Sequence, residues 1–187
     1  LLGARQVGKT YILKEFGQRE FENVAYINCD NNAMAKDLFA SDYNIDRILL
    51  TIGAITGVNI KAGKTLIIMD EIQELHRGLA SLKYFCENAR EYHVAVAGSL
   101  LGLSLHQGES YPVGKVNTLE MYPMTFEEFL WARGFKQRMD LLQHGMWDVV
   151  KSLRTLYIQH LREYYLVGGM PEAVNKFIET NDANAVR

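Results

Sequence analysis

Gly3-Ala4-Arg5-Gln6-Val7-Gly8-Lys9-Thr10 is the stretch on which the reading of this 187-residue chain turns. Gly3 and Gly8, with four residues between them and a lysine and a hydroxyl residue after them, fit the phosphate-binding P-loop pattern. A polyphosphate needs a concave row of backbone N–H groups, and glycine lets the chain come that close without a side-chain clash. In that role Gly3, Ala4, Arg5, Gln6, Val7, Gly8, Lys9, Thr10 and the following Tyr11 line the nucleotide. Lys9 then reaches the β- and γ-phosphates as a point charge, and the Thr10 hydroxyl becomes a magnesium ligand. Leu1 and Leu2 read as the end of a buried strand, and Tyr11 to Arg19 as a helix whose N-terminus faces the phosphates. The alternative is a glycine-rich turn ahead of a helix. A second GKT string, Gly63-Lys64-Thr65, has Val58 where the first glycine belongs and runs into the apolar stretch Leu66-Ile67-Ile68-Met69. It reads as a turn before a strand.

Thr65 to Met69 is the third expected strand, and Asp70-Glu71 closes it. Ligands of open α/β sheets bind beyond the C-terminal ends of strands, so the acidic pair belongs at the same rim as the P-loop. Asp70 would hold magnesium, and Glu71 would orient the attacking water and take its proton. A strand ending in acidic turn residues is the alternative; the P-loop upstream favours the site. The fourth strand, His93 to Ala97, ends in Gly98-Ser99, where Ser99 is the candidate sensor of the γ-phosphate. A glycine-serine turn would leave the same trace.

The remaining elements frame that site. Asn23 to Asn28 reads as a buried second strand, and Asp30 or Asn31 as the cap of a helix from Asn32 to Ala40. Helices are expected over Ile45 to Ile55 and Arg77 to Arg90, the second with Leu79, Leu82, Phe85 and Cys86 on one face. Gln73, Glu74 and His76 fall in the loop before it, His76 as a solvated surface residue. Leu100 to Gly114 reads as a loop, and Val116 to Tyr122 as a fifth strand stopped by Pro123. Thr125-Phe126-Glu127-Glu128 has the capping-box pattern and opens a helix to about Arg133. Further helices follow over Gln137 to His144, Trp147 to Leu166 (ended by Gly168-Gly169) and Glu172 to Glu179, the last with Pro171 in its first turn. The boundary therefore falls near Tyr122, with a P-loop core over residues 1–122 and a helical unit over 123–187. The first strand is expected to be truncated at Leu1 and the end of the chain to lead into a missing C-terminal region.

The composition is that of an ordinary globular chain, 48% hydrophobic and 22% charged, with no apolar run near the ~18 residues of a membrane span. A net charge of −2 leaves no basic footprint for nucleic acid. Cys29 and Cys86 lie far apart in no metal-ligand spacing and read as free thiols of a reducing cytoplasm.

GARQVGKT, TLIIMDEIQ, AVAGSLLG, MYPMTFEEFL and YYLVGGMPEAV together resemble the prokaryotic ATP-binding proteins of the AAA superfamily that carry a C-terminal, nuclease-like domain. The resemblance spans nearly the whole chain. It implies an α/β, three-layer P-loop fold with a five-stranded parallel sheet, the sensor strand lying between the P-loop strand and the Asp-Glu strand. A helical lid follows, whose Gly169-Met170-Pro171 would contact adenine. It further implies ATP and magnesium as ligands, with a protein partner or a homo-oligomer left open. Many relatives have arginine after the glycine just before the fifth strand, and this chain has Gly114-Lys115, which puts an arginine finger at that place in doubt. Arg133, Arg138, Arg154 and Arg162 are the other arginines considered, each equally readable as a surface residue. The Asn-Lys-x-Asp string of guanine recognition is absent, which favours adenine. The activity expected is ATP hydrolysis; a nucleotide-set interaction switch and a small-molecule kinase are the rivals.

Overall fold

In the computed structural model, residues 1–30, 32–39, 41–99 and 114–186 are described. The chain divides into two compact units, Leu1–Met121 and Tyr122–Arg187.

The first unit is built on five parallel strands: β1 (Leu2–Gly3), β2 (Asn23–Asn28), β3 (Thr65–Asp70), β4 (His93–Ser99) and β5 (Glu120–Met121). Their order across the sheet is β2-β3-β4-β1-β5, so the strand ending in Ser99 does separate the P-loop strand from the Asp-Glu strand. The α/β fold expected from the sequence is the fold observed. β3, between β2 and β4, is buried at all six positions, which is why Leu66 to Met69 is an unbroken apolar run rather than an alternation. Its side chains nonetheless sort by parity. Leu66 and Ile68 pack with Val24, Tyr26, Ala97 and Leu13 of helix α1 (Lys9–Glu20). Ile67 and Met69 pack on the other face with Ile48, Leu49 and Ile52 of α3 (Ile45–Thr56) and Leu79, Leu82 and Phe85 of α4 (Gly78–Asn88). Helices on both faces of a parallel sheet make three layers.

Two elements differ from expectation. The helix expected over Asn32 to Ala40 is the single turn α2 (Ala33–Lys36), capped by the Asn32 side chain, which accepts from the Met34 and Ala35 amides. It stops because Leu38 and Phe39 must turn inward, where both are essentially fully buried. Asn31 and Ala40 lie outside the described residues. The fifth strand is confined to Glu120–Met121, because its partner β1 offers only Leu2 and Gly3 for pairing; Val116 packs against the core instead.

The second unit holds α5 (Phe126–Ala132), α6 (Lys136–Gln143), α7 (Trp147–Ser152), α8 (Arg154–Val167) and α9 (Pro171–Thr180). The capping box at Thr125 is present in full, the Thr125 hydroxyl accepting from the Glu128 amide and the Glu128 carboxylate from the Thr125 amide. The single helix expected from Trp147 to Leu166 is divided at Leu153, whose amide is shared between the carbonyls of Val149 and Val150 in a tightened turn. Phe129, Val167, Val174 and Phe177 form this unit's own core. Gly169 is a packing glycine: a Cβ there would stand 2.2 Å from the Met124 carbonyl oxygen, whose own amide donates to the Gly169 carbonyl.

Candidate functional site

The loop after β1 carries its geometry in a few residues. A Cβ on Gly3 would lie 2.3 Å from the Met121 carbonyl oxygen, so the first glycine of the pattern is required by β5 alongside it. Gly8 is left-handed (φ 92°, ψ 14°) and serves as the N-cap from which α1 starts at Lys9, two residues earlier than expected. Gln6 is also left-handed (φ 66°). Val7 is fully buried beneath the loop, whereas Ala4, Arg5 and Gln6 are exposed and Tyr11 stands 69% exposed on the outer face of α1.

Lys9 is the informative side chain. It is 6% exposed, and its ammonium folds back over the loop to donate to the carbonyls of Ala4 (2.7 Å) and Gly3 (3.1 Å). A buried ammonium must be satisfied by hydrogen bonds or by a charge. Here two loop carbonyls do that, at a place where phosphate oxygens could take over.

Thr10 joins the loop to the acidic pair. Its hydroxyl donates to Asp70 Oδ2 at 2.5 Å across 60 positions of sequence, closing the link between the P-loop helix and the end of β3. Asp70, 4% exposed, is held by two more donors: the Tyr26 hydroxyl to Oδ2 at 3.1 Å and the Glu71 amide to Oδ1 at 3.1 Å. Burial, then the charge of Asp70 and the hydrogen bond to it, push the Tyr26 phenol up to about 12, so it remains a donor. Lys14 lies over the Tyr26 ring at 3.7 Å. Burial, with the charges of Asp70 and Glu71 adding to it, likewise pushes the Cys29 thiol up to about 12, so this free, buried cysteine is a neutral core group.

Glu71 follows in left-handed backbone (φ 53°, ψ 46°), and its carboxylate accepts from Gln73 Nε2 at 2.5 Å. Ser99 is buried at the C-terminal end of β4, beside Gly3 in the β1–β4 register. Glu74 and His76 are exposed, whereas Gln73 is buried. Lys115 forms an ion pair with Glu87 of α4 at 3.0 Å. Lys64 of the second GKT string pairs with Glu22 at 2.7 Å, and Gly63 is left-handed, as befits a turn.

Lys9, Thr10, Asp70 and, through Asp70, Glu71 are thus linked at one rim of the sheet. Tyr26 and Gln73 were not singled out from sequence as parts of it. Tyr26 could have been found by strand parity, since it shares a face with Asn28, the register partner of Asp70. Gln73 could not, because its approach to Glu71 depends on a left-handed glutamate. The expected loop over Leu100 to Gly114 lies, except for Gly114, outside the described residues.

The family model described as AAA domain matches residues 1–130. This chain belongs to the AAA domain family. Nucleotide-binding, ATPase-type function follows for this AAA domain at the level of the family. No curated protein matches the chain. Among solved structures, the Orc1 protein of Aeropyrum pernix, in complex with DNA, is similar over 74% of this chain at 14% identity, with a TM-score of 0.41. The chain spans 42% of the length of that structure. No helix among the described residues of the AAA domain is long and apolar enough to cross a membrane.

Proposed function

We propose that this AAA domain binds ATP with magnesium and hydrolyses it. The observation that carries the proposal is the Thr10–Asp70 bond, which unites a P-loop hydroxyl with the strand-end carboxylate, while the neighbouring Lys9 is buried with its ammonium on the loop carbonyls of Gly3 and Ala4. A hydroxyl and a carboxylate are the hard oxygen donors magnesium prefers, and one carboxylate suffices when phosphates and waters complete the shell. When bound, the ion would neutralise charge on the β- and γ-phosphate oxygens.

The chain's own residues supply the rest. Amides of Gly3 to Thr10 and of Tyr11 at the head of α1 face the phosphates, where the positive end of the helix favours an anion. Lys9 exchanges its two carbonyl partners for phosphate oxygens, at little cost because both states satisfy the ammonium. Glu71 orients water and accepts its proton, and Ser99 reads the γ-phosphate from the neighbouring strand. Positioning and charge stabilisation account for most catalysis of this type, so few groups are needed.

The Lys115–Glu87 pair favours a second reading, a switch that binds ATP and turns it over rarely without a partner. An arginine finger contributes roughly 10³ to 10⁵ in rate, and a lysine engaged with Glu87 cannot copy its fork. Phosphate release, measured beside ATP affinity for the parent and Glu71→Gln, separates the two. Turnover that vanishes in the variant while binding persists supports hydrolysis by this domain. Binding without turnover in either protein would sink autonomous hydrolysis and favour the switch.

A further inference from the structure

Gln73 is a buried polar residue that the chemistry above leaves without a task. It lies in the 3-10 turn Ile72–Glu74 directly after β3 and is 4% exposed. Its Nε2 donates to Glu71 Oε2, while its Oε1 is the one buried side-chain polar atom without a hydrogen-bond partner among the described residues. The amide cannot be turned over to cure this. Exchanging its ends would set a carbonyl oxygen against the Glu71 carboxylate, two acceptors face to face.

The amide is also pressed against the sensor strand. A Cβ on Gly98, next to Ser99, would stand 2.7 Å from Gln73 Oε1, so a larger residue there would push the amide from its position. Glu71 adopts a left-handed backbone that disfavours any residue with a Cβ, and this local strain coincides with the bond to the amide two residues on. An orphaned acceptor, a strained glutamate and a glycine vacated for an amide have one arrangement in common: Gln73 holding Glu71.

Resting on the reading of Glu71 as the base, we propose that Gln73 is a positioning residue that fixes the Glu71 carboxylate, and that Gly98 on the sensor strand makes room for it. One donor on Oε2 removes the rotational freedom of the carboxylate and leaves Oε1 to face water. Without it, Glu71 reverts to the many rotamers of an ordinary glutamate and spends little time aligned. Because the bond runs to Glu71 and not to the P-loop, its loss lowers turnover and spares nucleotide affinity.

Four variants test this: Gln73→Met, which keeps the bulk and removes the donor; Gly98→Ala, which displaces the amide without altering it; and Glu71→Ala and Glu71→Gln. Three quantities are read in each: the side-chain amide resonances of Gln73 by 15N–1H NMR, assigned by their loss in Gln73→Met, ATP affinity, and phosphate release. In the parent, one Gln73 amide proton is expected downfield and slow to exchange, returning to the free-amide range in Glu71→Ala and Gly98→Ala. Turnover is expected to fall about ten- to hundredfold in Gln73→Met and Gly98→Ala with ATP affinity unchanged. A free-amide signal in the parent overturns the proposal. So does a Gln73→Met turnover within about twofold of a parent that Glu71→Gln abolishes. If the parent binds ATP and releases no phosphate, the role of Glu71 as base falls, and the catalytic role of Gln73 with it; the amide signal then decides the bond alone.

Discussion

Asp70 is held by three donors, and Tyr26 is the one whose removal leaves the others in place. Tyr26→Phe deletes a hydroxyl at 3.1 Å, but Thr10 still serves Oδ2 and the Glu71 amide still serves Oδ1, so no buried acceptor is orphaned. The expected loss is therefore about 1 kcal/mol, the net value of one hydrogen bond, read as a shift of the urea midpoint at pH 8 with unchanged slope. The pH dependence follows from the phenol, whose folded value of about 12 lies above its ordinary 10. Folding favours the protonated form, so the stabilisation is complete below pH 10 and is lost as pH rises toward 12. The gap between parent and Tyr26→Phe should close over that interval; a gap that widens would show that the hydroxyl is not donating to Asp70. Lys9, Thr10, Asp70 and Glu71 were legible as candidates because residue type and spacing state their chemistry. Tyr26 and Gln73 were not, because each enters through a contact that only register or an unusual backbone angle creates.

Elements show the same division. The sequence of β3 announces a buried parallel strand, and Thr125 with Glu128 announces a helix start, because the physics of each lies within a few neighbouring residues. The short α2, the two-residue β5 and the break at Leu153 depend on what lies opposite them, which no local pattern records. A network joining three helices of the second unit belongs to this class. Arg133 of the α5 C-terminus bonds Glu163 of α8 at 2.5 Å, His160 Nδ1 meets the same carboxylate oxygen at 2.9 Å, and Arg138 of α6 meets His160 Nε2. Burial raises the Glu163 pKa, but the bonds from His160 and Gln159 and the charge of Arg133 outweigh it, and the net value is lowered. A depressed carboxylate stabilises the fold above its unfolded pKa and ceases to do so as pH falls through its folded one. Glu163→Gln should therefore cost about 1–3 kcal/mol near pH 7, and that difference should shrink below about pH 4.5. Denaturation monitored by Trp131 and Trp147, both in this unit, reads it. A cost independent of pH from 7 to 3 would show that the carboxylate charge is not what the network uses.

At the scale of the whole chain, the two units have separate cores, and every residue proposed to hold phosphate or magnesium lies in the first. A ligand that binds only the folded state stabilises the unit that holds it, by about 2.7 kcal/mol at a hundred times its dissociation constant. For a unit of this size that corresponds to roughly 10 °C in melting temperature. Magnesium with a non-hydrolysable ATP analogue should raise the transition of the first unit by that amount, independently of whether turnover occurs. Where calorimetry resolves two transitions, only one should move; where the units melt together, the single transition should move by less, since the same free energy is spread over a larger unfolding entropy. Lys9→Ala removes the ammonium that exchanges loop carbonyls for phosphate oxygens. If it weakens binding by about a hundredfold, the same ligand concentration leaves only about 0.4 kcal/mol of stabilisation, and nearly all of the shift disappears. An undiminished shift in Lys9→Ala would place the nucleotide somewhere other than the loop from Gly3 to Thr10, and would take the proposed roles of Thr10 and Asp70 with it.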